Sequence, residues 1–376
     1  MNRFKWKKSN IVIVAINLLC LILYALFTVL FSYRAEKLSS NQLAKSWQGS
    51  SDIPYHEISV FIDPEEQIKL DQISGIRSGI QSSLSDASYT GESVTGRLWI
   101  DSYFAKRQGV VSRLNDIGRT ETQEVRIVGA GGDFFYFHEP RMISGCTFKD
   151  KDSSQDKVLI DKQTAWSLFG GYDIAGQSVQ VDGKNYIVSG VYEPKESKYE
   201  TVAKGEECYL YMDYDAYHQA YDTDGILCYE ALIPNPVKDF ALFTVKQAFG
   251  LSNEALYEDS LTLSNQIYEF VDQTSRFASF AVLKKIKNMP YLFMHGSNIA
   301  YPYWENAIRA AELKLMLDMI FRVLCILPVI VTVVIWFMKN RRKLKESLKS
   351  LLKAGIAKCI QMLKNRIKVK KNISED

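Results

Sequence analysis

"GGDFFYFHEPRMISG", Gly131 to Gly145, sets glycines at both ends of a run holding four consecutive aromatics, a proline and one of only four histidines in the chain. Such a stretch is either a ligand or metal site or the folding signature of something larger. The choice turns on which compartment it faces, and the rest of the chain decides that.

The chain has 376 residues, room for one large or two ordinary domains. Its net charge of +3 is unevenly spread: residues 1–10 and 339–376 together hold 17 of the 46 Lys and Arg but 3 of the 43 Asp and Glu. The middle is therefore acidic. Basic ends on an acidic middle would suit nucleic acid poorly, and here each basic end adjoins a hydrophobic run. Ile11–Phe31, "IVIVAINLLCLILYALFTVLF", has 21 residues and no charge, and a bilayer core needs about 20. It is longer than the roughly 7–15 apolar residues of a cleaved signal sequence and has no small-residue cleavage site after it. It reads as an uncleaved anchor over 11–33.

The second run, "MIFRVLCILPVIVTVVIWFM", covers 319–338. Arg322 near its outer end can snorkel to the interface, Pro328 is tolerable in a membrane helix, and Trp336 precedes the cluster Lys339–Lys343. Lys and Arg beside a span stay in the cytoplasm. Tails 1–10 and 339–376 then lie inside. Residues 34–302, a core domain with a first stalk, and 303–318, a second stalk helix, lie outside, in the cell-membrane arrangement of a two-span protein. Three cysteines fall outside: Cys146, Cys208 and Cys228. A Cys208–Cys228 bridge between neighbouring strands and buried free thiols both remain open.

Periodicity supplies the elements. "YHEISVFID" alternates like a strand; Ile68, Ile73, Ile76, Ile80 and Leu84 recur at helical spacing after Pro64. Residues 97–101 and 124–130 read as strands. Val158–Ile160 is a short strand, Asp161 caps a helix Lys162–Phe169, and Gly170-Gly171 ends it. Alternation on both sides of Asp182-Gly183 marks a hairpin. Strands follow at 206–212 and 226–233, then helices and a further strand over 237–287. Trp304, Ile308, Ala311 and Leu315 give the second stalk an apolar stripe. The sum is an α+β extracytoplasmic domain with two transmembrane helices and helical stalks.

Chemistry finds little support. "GAGGDFF" is not a phosphate loop, lacking G-x-x-x-x-G-K-[ST] and a complete G-x-G-x-x-G, so no ATPase of the chain's own is expected. His56, His138, His218 and His295 are scattered without metal-ligand spacing. "YDTDGILCYE" places its glycine too early for a calcium loop, and no nucleophile elbow occurs. No cofactor is expected, and no enzyme. "CYLYMDYDAYHQAY" could recognise a cationic or amphipathic ligand, though alternating Tyr more often packs half-buried in strands. Leu344, Leu348, Leu351 and Leu352 share a face of a lysine-rich tail helix, suited to an anionic inner leaflet or a cytoplasmic partner.

"GGDFFYFHEPRMISGCTF" followed by "KVLIDKQTAWSLFGGYDIAGQSVQVDGKNYIVSGVYEP" resembles the extracytoplasmic core of MacB/FtsX-type ABC transporter permeases. The matching positions are the Met142–Gly145–Phe148 phrase, with Cys146 where arginine is common, and Ala165, Leu168, Phe169, Gly170, Gly176, Val188, Gly190 and Val191. The resemblance is clearest over 125–193. The segment "RRKLKESLKSLLKAGIAKCI" resembles the family's cytoplasmic coupling helix at Arg342, Glu346, Leu352, Ala354 and Gly355, with Leu348 on its apolar face.

The family implies a permease-like subunit with a MacB-like periplasmic core domain, working in export or mechanotransmission. Its implied partners are a separate ABC ATPase, another permease subunit or a second copy of itself, and membrane lipid. Family members continue into two more spans, whereas this chain stops at Asp376, which implies a half-size subunit or an accessory. The contrasting expectation is an ATP-independent membrane-anchored sensor, scaffold or peptide-binding protein. On either, the opening stretch is expected to be folding signature, with local ligand binding as the alternative.

Overall fold

Alternation along "YHEISVFI" sends Ile58, Val60 and Ile62 into one core and Phe61 into another, because successive strand residues face opposite ways. That division organises the whole sheet. The computed structural model describes residues 8–39, 43–49, 52–66, 68–89, 96–114, 118–148, 156–194, 197–222, 225–251, 267–287 and 298–373, with side chains from 342 onward outside the description. Contacts divide the chain into two units: residues 1–31 with 318–376, and residues 32–317.

The larger unit holds a ten-stranded mixed sheet. Its strands are β1 Tyr55–Ile62, β2 Ile100–Leu114, β3 Thr120–Gly132, β4 Arg141–Gly145, β5 Lys157–Asp161, β6 Ser178–Val181, β7 Lys184–Glu193, β8 Tyr209–Asp213, β9 Cys228–Pro234 and β10 Tyr268–Asp272, in the order β10-β1-β9-β2-β3-β8-β5-β7-β4, with β6 pairing β2 and β7. The β3–β8 and β5–β7 pairs are parallel and the rest antiparallel. Helices α3 Leu70–Asp86, α5 Lys162–Phe169, α7 Tyr214–Ala220 and α8 Phe240–Ala248 cover one face. The other face carries α2 Leu43–Gln48, the short α4 Phe134–Phe137 and the start of a long helix, with α6 Lys198–Lys204 and α9 Ser279–Lys287 elsewhere in the unit.

Local signals act as expected in several places. Asp161 accepts from the Thr164 N–H at 2.8 Å to cap α5, and its other oxygen accepts from the Tyr209 N–H at 2.9 Å, pinning β8. Asp182 and Gly183 both take positive φ, 47° and 83°, as a two-residue hairpin turn requires. Elsewhere the fold departs from expectation. The strand expected at 97–101 starts at Ile100 and runs to Leu114. Pro64 opens only a single 3-10 turn, and Ile68 pairs with Ile226 as a β-bridge, so α3 begins later, at Leu70. Cys208 and Cys228 are buried free thiols. Cys228 opens β9 and Cys208 directly precedes β8, and β2 and β3 lie between those strands. At about 4.8 Å per strand spacing the two sulfurs are beyond bridging distance.

In the smaller unit, α1 Lys8–Ser39 contributes its residues up to Phe31, and the long helix α10 Tyr303–Ile373 contributes from Asp318 onward. Ile11–Leu38 and Tyr303–Arg341 are the two helical stretches long and apolar enough to cross a membrane among the described residues. Within this unit Phe27 stacks on Phe321 with centroids 5.1 Å apart, and the Arg322 guanidinium lies over the Phe31 and Tyr24 rings. Pro328 does not interrupt α10, and Thr332 Oγ1 donates to its carbonyl at 2.8 Å.

Candidate functional site

The opening stretch folds as a joint between strands. Gly131 and Gly132 end β3, and a Cβ on Gly131 would stand 2.2 Å from the Tyr103 ring. Phe134 is buried among Phe104, Tyr211 and Trp304, and Phe135 packs edge-on against Phe148. Gly145 closes β4 at φ +68°, where a Cβ would lie 2.2 Å from the Ser189 carbonyl oxygen, so only glycine fits. The glycines and aromatics are thus structural. His138 has a further role.

Cross-strand register gathers polar groups on the face that carries α4 and α10. Ser59 on β1 stands opposite Glu230 on β9, and Glu230 opposite Ser102 on β2. Glu230 is 2% exposed; His138 Nε2 lies 2.7 Å from its Oε2, and the Ser102 hydroxyl donates to the same oxygen at 2.8 Å. Gln273, just after β10, donates from Nε2 to Ser59 Oγ at 3.1 Å and to Glu305 Oε2 at 3.3 Å. Glu305 belongs to the first turn of α10.

From Glu305 the network becomes ionic. Arg276, 3% exposed, reaches both oxygens of Glu305 at 3.0 Å and both of Glu312 at 2.9 Å. Lys285 of α9 donates to Glu312 as well. Arg309 bonds Glu305 and Glu269, each at 2.8 Å, while Tyr301 donates to Glu269. The foot of α10 is thereby tied to β10 and to the segment joining β10 with α9. Burial alone would raise the Glu312 carboxyl, but the charge and hydrogen bonds of Arg276 and Lys285 pull it down to about 2. Burial likewise opposes the Glu305 carboxylate, and Arg276 and Arg309 hold it below its ordinary range. Burial acts against the Arg276 guanidinium, which Glu305 and Glu312 keep charged.

Beside this network a cavity of about 630 Å³ opens between the sheet and residues of the two stalk segments. Glu57, His138 and Glu230 line it together with Phe61, Tyr211 and Trp304. Burial, then the Glu230 charge, pushes the half-buried Glu57 carboxyl up to about 8.

The residues expected from sequence to couple to an ATPase, Arg342, Glu346, Leu348, Leu352, Ala354 and Gly355, all fall on the single helix α10, which continues through Gly355 to Ile373. Their side chains lie outside the described residues. Sequence reading passed over Arg276, Glu305 and Glu312. The available signal was faint: two glutamates seven residues apart, flanking the apolar stripe of Ala311 and Leu315. Four of the five tyrosines of "CYLYMDYDAYHQAY" are packing, with Tyr209, Tyr211, Tyr214 and Tyr217 buried, while Tyr221 is half-buried under the Arg107 guanidinium and donates to Asp182. Among the described residues no His, Cys, Asp and Glu group is arranged to hold a metal ion.

No curated protein matches the chain. It is similar to the extracellular domain of the noncanonic ABC-type transporter YknZ from Gram-positive bacteria, at 18% identity and TM-score 0.38, covering 57% of this chain and all of that one. It is also similar to the periplasmic region of MacB from Actinobacillus actinomycetemcomitans, at 11% identity and TM-score 0.39, covering 62% of this chain and 92% of that one. The profile of the MacB-like periplasmic core domain matches residues 18–235, more than half of the chain. With that match, and with membrane-spanning helices on both sides of a mixed α+β domain, the chain belongs to the MacB-like periplasmic core domain family, of the MacB/FtsX type.

Proposed function

We propose that this chain is a permease-like, non-enzymatic subunit of an ABC-type export or mechanotransmission system whose ATP is hydrolysed by a separate ATPase. Both basic tails lie in the cytoplasm and the sheet domain outside. The observation that carries the reading is the clamp of Arg276 on Glu305 and Glu312. A helix that only anchored the domain would not need its first three turns fixed by buried ion pairs, which are poor sources of net stability but hold one geometry. The clamped helix continues without interruption through its apolar stretch into the basic segment bearing Arg342 and Glu346. Motion imposed at that segment then has a continuous helical route to the sheet. Its membrane partner is another permease subunit or a second copy of the chain.

The test is copurification from membranes. Leu348→Asp with Leu352→Asp should leave the chain folded and membrane-inserted but remove a P-loop ATPase that accompanies the wild type. A wild type that brings down no such ATPase, or a double variant that still does, defeats the reading. The contrasting sensor or peptide-binding role has less support from the tyrosine-rich stretch, where Tyr209, Tyr211, Tyr214 and Tyr217 are buried and Tyr221 is half-buried.

A further inference from the structure

We propose that the cavity beside the stalk foot is a binding site for an organic ammonium carried on an apolar body, the ammonium held between Glu57 and Glu230 and the body against Phe61, Tyr211 and Trp304. The register places Glu57 opposite Leu232 and Glu230 opposite Ser59, so the two carboxyls are diagonal neighbours on one face, about 7–8 Å apart at Cα. Side chains of that length on diagonal neighbours of one face can reach a common ammonium.

Arg34, Lys37, Arg141, Lys198 and Lys314 also line the cavity, and its carboxylates are not balanced alike. Glu305 is bonded by Arg276 and Arg309, and Glu230 receives Ser102 and His138. No ion pair among the described residues engages Glu57; burial and then the Glu230 charge raise its carboxyl, against a hydrogen bond from the Leu43 backbone and the more distant Arg276 charge. A ligand cation would relieve that repulsion.

The walls suit the same ligand. Aromatic faces attract cations and offer apolar contact to the rest of the molecule. Tyr192, 2% exposed, lines the same cavity, its ring 5.3 Å from that of Tyr211 centroid to centroid and its hydroxyl beside the Tyr211 hydroxyl. The volume, about 630 Å³, is that of a small-molecule site.

Binding needs neither nucleotide nor partner, so it is measured on the full chain alone in nanodiscs and its failure leaves the coupling reading untouched. Three probes of one shape separate the terms: 4-phenylbutylamine, 4-phenylbutanol and 4-phenylbutanoate. We expect saturable binding of the amine, at least about tenfold weaker binding of the alcohol, and none of the carboxylate. Glu57→Gln should lower affinity for the amine about tenfold and leave the alcohol unchanged. Should that variant misfold, the wild type supplies a second readout. Dicyclohexylcarbodiimide labelling of Glu57, located by mass spectrometry, should be suppressed by the amine and not by the alcohol. Equal affinity for amine and alcohol, an amine affinity indifferent to Glu57→Gln in a folded variant, or labelling that the amine does not suppress would each overturn the proposal.

Discussion

Glu57 shows how a single strand position is set by its neighbours. It faces the cavity from β1, next to Glu230, and its carboxyl is pushed up to about 8 by burial and by that second charge. A carboxyl that holds its proton more tightly when folded stabilises the fold fully below its unfolded value of 4.5. The contribution is lost as pH rises from there toward about 8. Glu57→Gln cannot ionise and should not show this loss. We therefore expect the wild type to lose thermal stability between pH 5 and pH 8.5 relative to the variant, so that the variant's midpoint gains on the wild type's as pH rises. Melting curves of both proteins at a series of pH values check this, and parallel curves would mean that the Glu57 carboxyl is not held in this buried site.

At the scale of elements, Arg276 is the cation that Glu305 and Glu312 share at the foot of α10, with Arg309 and Lys285 each bonding one of them. Removing Arg276 leaves Glu305 and Glu312, 1% and 5% exposed, as neighbouring buried carboxylates. Arg276→Met should destabilise the larger unit by about 3–5 kcal/mol, the usual penalty for breaking a buried pair from one side. Replacing Glu305 and Glu312 by Met and Leu in the same variant should recover much of it. Urea unfolding followed by tryptophan fluorescence measures both. The same clamp has an acid limit. Glu312 titrates near 2 in the fold against 4.5 unfolded, so its contribution of about 3 kcal/mol is complete above pH 4.5 and disappears as pH falls toward 2.

This element also marks where sequence reading succeeds and where it stops. The spans, the Asp161 cap and the Asp182-Gly183 hairpin are visible because their signals lie within a few residues. β2 was cut short because its second half, "KRQGVVSRL", breaks the alternation with a glycine and three charges. Pairing with β3 along its length and with β6 near its end keeps it extended regardless. The clamp was illegible because Arg276 meets partners 29 and 36 residues away. A glutamate on an isolated helix reads as solvated, and only the fold reveals that Glu305 faces inward. His138 was noticed but given no partner for the same reason: Glu230 is 92 residues distant.

At the scale of the whole chain, what matters is that the clamped foot, the apolar stretch and the basic segment are one helix, Tyr303–Ile373. A helix transmits displacement and rotation along its axis, whereas a flexible tract dissipates both. Inserting Gly-Ser-Gly-Ser after Leu317 should leave the larger unit folded, because the clamp residues Glu305, Arg309 and Glu312 all precede the insertion. Inserting four alanines at the same point keeps the helix and adds about 6 Å. If an ATPase drives the domain through α10, adding nucleotide to the reconstituted complex should alter hydrogen exchange of the amides at 303–312 in the wild type. The alanine insertion should retain part of that response, and the Gly-Ser insertion should abolish it while exchange without nucleotide stays at the wild-type level. A full response through the flexible tract would mean that motion reaches the sheet by another path, and the buried clamp would then be a device of folding specificity alone.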